Sequence, residues 1–167
     1  MEDIINIFID VVKKEIKYNK QLLELLIEEQ KILISEDITA VEKNVKEQDY
    51  LINTIKKFEE VRIESVKKIS EMFGVPEKNL RFNDIVELVQ DQYSEEIFML
   101  MEELKSVLEN IVKINNNNKY LVENGLKFLE ENIKVFYGAD KKELFYKKER
   151  KESKEKKSVF RIVDKKV

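Results

Sequence analysis

From Ile5 onward the chain repeats one spacing. Ile5, Ile9, Val12, Ile16, Asn19, Leu23, Leu26, Gln30 and Leu33 follow one another in alternating steps of four and three. That alternation is the seam of a helix that packs on another helix with left-handed coiled-coil geometry. The flanks are charged, as in Lys13-Lys14-Glu15 and Glu28-Glu29. A strand would need period two and frequent turns. The chain offers little of either, with three glycines and one proline. The pattern predicts an all-α protein of long helices. Asn19 and Gln30 fall in the seam, where polar residues are expected to fix register rather than bind a ligand.

The first helix is predicted over about 2–34. Ser35-Glu36-Asp37 interrupts it, and Asp37 is suited to cap a second helix by accepting a backbone N–H. That helix is expected over 38–73, with the stripe Ile38, Val41, Val45, Gln48, Ile52, Ile55, Phe58, Arg62, Val66, Ile69 and Phe73. So short a connection predicts an antiparallel hairpin. Gly74 fits a helix C-cap, and Pro76 blocks continuation.

A third helix is predicted over about 84–137, capped by Asn83 or Asp84, with room for an irregularity near Gln90–Ser94. Gly138 ends it. Unbroken, it would span about 80 Å, against about 54 Å for the second helix. The hairpin can then cover it only to about Tyr120. The remainder must overhang, fold back or meet another chain.

That remainder is unusual. The heptad positions 97, 104, 111, 118, 125 and 132 read Ile, Leu, Ile, Asn, Gly, Asn. After the run Asn115–Asn118 a stripe begins at Val122, Leu126, Leu129, Ile133 and Phe136. The two four-residue steps from Ile114 through Asn118 to Val122 form a stutter, where a helix leaves one packing seam and presents another. Apolar area without an internal partner marks a binding site or an oligomer interface.

The chain carries no cysteine and no histidine. The commonest general base and the thiolate chemistries are therefore missing, and no Gly-rich phosphate loop is present. No enzyme, metal or cofactor is expected. Glu24 and Glu28 read as a solvated face. No apolar run approaches the roughly 18 residues that would span a bilayer. Glu2 and Asp3 precede the first apolar residues where a secretory signal would be basic. A cytoplasmic location is expected. Residues 140–167 hold 12 Lys and Arg against 6 Asp and Glu, which leaves a net −9 on residues 1–139. The expectation is a helical domain over 1–138 and a basic tail over 139–167. The acidic body argues against nucleic acid as a partner. Val159, Phe160, Ile162 and Val163 near the end read either as a frayed end or as a short docking peptide.

The residues taken in order resemble the flagellar FlgN-type export chaperones, over most of the chain. The acidic connection Glu36-Asp37-Ile38-Thr39-Ala40-Val41-Glu42 is similar to the family's entry into its second helix. Arg62 and Phe73-Gly74 also fit. Asn115, Asn118, Leu121, Leu126 and Phe128 resemble the family's N-x-x-N-x-x-L-x-x-x-x-L-x-F stretch, and Arg161–Val167 resembles its closing motif. The resemblance implies a small cytoplasmic helical protein that binds hook–filament junction proteins before export and delivers them to the flagellar export gate. It implies a client surface on the C-terminal part of the long helix: Asn118, Leu121, Val122, Gly125, Leu126, Leu129, Ile133 and Phe136. It also implies a gate-docking tyrosine, Tyr137 or Tyr146. The alternative is a homo-oligomeric coiled coil whose overhangs pair with themselves.

Overall fold

A computed structural model describes residues 2–35, 37–76, 81–89 and 91–137, with only the backbone course given for Asp91 and residues 135–137. The described residues form four helices and no strands: α1 (Glu2–Ser35), α2 (Ile38–Phe73), α3 (Phe82–Leu88) and α4 (Asp91–Tyr137). The chain divides into two compact units, Met1–Ile114 and Asn115–Val167.

In the first unit α1 is the central element. Its first turn carries Glu2 and Asp3, which suit the positive end of the helix dipole. The turn to α2 is closed by Asp37, whose Oδ1 accepts the Ala40 N–H at 3.0 Å. Such a cap is worth about 1 kcal/mol. Gly74 ends α2 in the left-handed region, at φ 67°, and its N–H donates to the Ser70 carbonyl. A side chain at that φ would be strained.

Two apolar clusters form the core. One gathers Ile5, Phe8, Val12, Ile69, Ile85 and Ile97 among others, and the second gathers Leu22, Leu26, Leu51, Val107 and Ile111. A polar pair is set into the first cluster, between Val12 and Ile16 along α1. Arg62 Nε donates to both oxygens of Glu15 at 2.9 and 3.1 Å, and the Arg62 guanidinium sits over the Phe82 ring at 5.7 Å. Asn19, expected to set register, donates to the Glu15 carbonyl of its own helix instead. The register between α1 and α2 is held by Glu15–Arg62 and by Asn44, which donates to the Leu25 carbonyl at 3.0 Å. Gln48 in turn donates to Asn44 Oδ1 at 2.6 Å.

Two ion pairs mark the course of α4 along α1. Lys13 meets Glu96 at 2.7 Å and Lys20 meets Glu103 at 2.6 Å. The second pair repeats the first one heptad on, so α1 and α4 run parallel here. All four side chains are about half exposed, so each pair is worth under about 1 kcal/mol. The buried stripe Ile97, Leu100, Leu104, Val107 and Ile111 supplies the main attraction.

The third predicted helix is broken in two. α3 begins at Phe82, with Arg81 as its N-cap. Asp84 is not the cap but the third helical residue, and its Oδ2 accepts the Arg81 N–H at 2.6 Å. Val89 is extended, at φ −83° and ψ 162°. The physical reason lies in the spacing. Ile85 and Ile97 are twelve residues apart, which on an unbroken helix would put them about 120° apart. Both are 1% exposed and belong to the same cluster. The break lets both reach it.

Burial raises the pKa of Glu15 against the opposing pull of Arg62. Arg62→Met should therefore strand a buried carboxylate and cost about 3 kcal/mol at neutral pH. A folded-state pKa above the unfolded value means stability is gained as pH falls through it, because the folded state then binds the extra proton. The loss in Arg62→Met should thus shrink as pH drops into the ordinary carboxylate range. The double variant Glu15→Leu/Arg62→Met should recover most of it at neutral pH. Urea unfolding at two pH values measures both effects, and a loss independent of pH would mean that Glu15 is not its source.

Candidate partner-binding surface

α4 holds 47 residues, about 70 Å of helix. Its second-unit part, residues 115–137, is helical throughout despite the asparagine run, whose members are modest helix formers. Asn132 Nδ2 donates to the Phe128 carbonyl four residues back, so this polar side chain is spent on its own helix.

The sequence-predicted site residues separate into three groups. Asn118 is only 3% exposed, and Leu121 is half-buried. Asn118 is therefore closed to solvent, whereas Leu121 is partly open, as Ile133 is. Val122, Leu126 and Leu129 are 44%, 49% and 56% exposed, and Gly125 is exposed beside them. Ile133 is half-buried. The side chains of Phe136 and Tyr137, and all of Tyr146, lie outside the described residues. Phe128, absent from the predicted surface, is also exposed. It was legible only as a match to the asparagine-containing stretch, because its heptad phase is that of the buried stripe.

A half-exposed leucine leaves roughly 1 kcal/mol or more of transfer free energy unused. Three at four- and three-residue spacing make a surface suited to another helix. Gly125 adds a geometric point. A Cβ built there meets nothing within 4 Å, so the fold of this chain does not require glycine. A mid-helix glycine nevertheless costs about 1 kcal/mol relative to alanine. Its bare backbone is useful only to something that approaches closely from outside.

A groove lies elsewhere, on α1 and α2. It encloses about 580 Å³, with Leu25, Tyr50 and Leu51 at its apolar part and Glu24, Glu28 and Lys46 among its rim. Its charges are mixed, and Lys43 already reaches Glu47 at 3.9 Å. It shares no residue with the α4 stripe. Among the described residues no group of His, Cys, Asp or Glu could hold a metal ion, and no helix is long and apolar enough to cross a membrane.

Gly125→Ala should raise helix stability by about 1 kcal/mol, read as slower amide exchange over the surrounding turns. Slower exchange would confirm that the glycine is not there for the fold. Faster exchange would mean the methyl group clashes with the chain itself.

Comparison with known proteins gives one family. The family model described as FlgN protein matches residues 1–154. The closing Arg161–Val167 lies beyond that match. No curated protein and no solved structure matches the chain.

Proposed function

The chain belongs to the FlgN family, the flagellar export chaperones, and on that premise we propose that it holds hook–filament junction proteins in the cytoplasm until export. The client surface is the exposed part of α4 at Val122, Gly125, Leu126 and Leu129, continued by Ile133 and Phe136. The observation that carries this reading is the helically spaced apolar stripe that the chain leaves in water. Terminal helices of junction proteins have an apolar face that stays uncovered until assembly. Laying the two faces together removes both from water, at about 25 cal/mol per Å² of apolar surface.

No covalent step is involved, and the protein acts as a binder rather than an enzyme. Delivery follows when the chaperone docks on the export gate through a tyrosine toward the C-terminus, with Tyr137 first and Tyr146 second. Asn118 and Leu121 adjoin that surface and belong to the same client contact.

The test is calorimetric titration of the full chain with the terminal helical segments of junction proteins from the same genome. Leu126→Asp should weaken binding by at least ~100-fold, since a charge then sits at the centre of the contact. Far-UV helicity should hardly change, because Leu126 is half exposed. Gly125→Ala should also weaken binding while stabilising the helix. Tyr137→Ala or Tyr146→Ala should reduce gate binding and leave client binding intact. Absence of binding by the unaltered chain, or unfolding of Leu126→Asp, would defeat the reading.

A further inference from the structure

From Val122 to Leu129 every residue of α4 is exposed. That is about two turns of helix with no buried side. Only backbone hydrogen bonds hold these turns, and helix held in that way opens locally at little cost. Gly125 lowers the cost further. In the middle stands Asn124-Gly125, the one Asn-Gly pair in the sequence. Asn19, Asn110 and Asn132 each donate from Nδ2 to the carbonyl four residues back. Among the described residues the Asn124 side chain makes no such bond, and it is exposed. The residue after it has no Cβ, and nothing else in the fold crowds the place where one would stand. The Gly125 nitrogen is therefore open to the Asn124 side chain once the backbone leaves the helix.

Inside the helix the Gly125 N–H belongs to the backbone ladder and cannot react. On opening, the Gly125 nitrogen gives up its proton to base and attacks Asn124 Cγ. The N–Cγ bond forms, the Cγ–Nδ2 bond breaks, and Nδ2 takes up a proton and leaves as ammonia. Water then opens the succinimide ring at either carbonyl. Cleavage of the new N–Cγ bond leaves aspartate. Cleavage between the Gly125 nitrogen and the Asn124 main-chain carbonyl carbon leaves isoaspartate, whose backbone runs through the former side chain. In sum an amide and a water become a carboxylic acid and ammonia, with water as the only co-reactant.

We infer that Asn124–Gly125 is a self-modification site: it converts to isoaspartate when the two exposed turns open, and a client lying on Val122, Leu126 and Leu129 keeps it unconverted. The protection rests on the chaperone reading; the conversion does not. Isoaspartate puts an extra backbone methylene and a carboxylate between Val122 and Leu126. The methylene breaks the regular ladder, so the apolar residues on either side lose their helical spacing. An unloaded chain thus loses its client surface with time, and a loaded one keeps it.

The full chain is incubated at mildly alkaline pH and mapped by peptide mass spectrometry, with isoaspartate marked by isoaspartyl methyltransferase. Position 124 should convert faster than Asn115, Asn116 or Asn117, with isoaspartate the larger product. Gly125→Ala should slow the conversion at least about fivefold through helix stability alone. A saturating junction-protein terminal segment should slow it at least about tenfold. The converted chain should bind that segment at least about tenfold more weakly. An Asn124 that survives, that converts no faster than Asn115–Asn117, or that converts equally fast in Gly125→Ala would overturn the site. Segments that bind yet leave the rate unchanged would overturn the protection. Conversion as expected in a chain that binds no junction segment would defeat the chaperone reading alone.

Discussion

α1 is buried over a face too wide for one neighbour to cover. It buries ten residues where α2 buries five. Phe8, Val12 and Ile16 can leave water only if helices close on α1 from two sides. α2 does so antiparallel through the tight turn at Asp37, and the first part of α4 does so parallel. Everything else in the first unit serves that closure. The ion pairs from Lys13 and Lys20 mark the parallel course of α4 along α1, and the break at Val89 lets α3 and α4 both feed the same cluster. Once its buried stripe is used in this way, Phe98, Leu108 and Val112 of α4 have nothing left in this unit to pack on.

The Glu15–Arg62 pair is set into the first apolar cluster and gives the hairpin its register. A purely apolar seam between α1 and α2 would tolerate sliding by a heptad. A buried carboxylate tolerates only the register that brings Arg62 to it. Asn44, donating to a carbonyl of α1, pins the far end of the hairpin in the same way. Uniqueness of register thus comes from polar atoms, and the stability comes from the apolar clusters.

Much of this was legible in the sequence, and the illegible parts have physical causes. Asp37 and Gly74 are local signals, so the ends of α1 and α2 could be read from them directly. The break before α4 could not, because it answers to where Ile85 and Ile97 must both end up in space. Asn19 looked like a register residue from its seam position, but a side chain bonded to its own helix is indistinguishable in sequence from one bonded across. In the first part of α4, Phe98, Leu108 and Val112 each stand next to a buried residue, so open and buried positions look like one broad apolar face until burial separates them.

The central claim is that the stripe Val122, Leu126 and Leu129 is open in the free protein and closed by a client. Amide hydrogen exchange on the full chain, alone and with a junction-protein terminal segment, tests it most directly. The account predicts slow exchange over Ile97–Ile111 in both states. It predicts faster exchange over Val122–Ile133 in the free chain, slowed markedly when the segment is present. Equal protection of Val122–Ile133 in the two states would contradict it, because the surface would then be either already covered or never used.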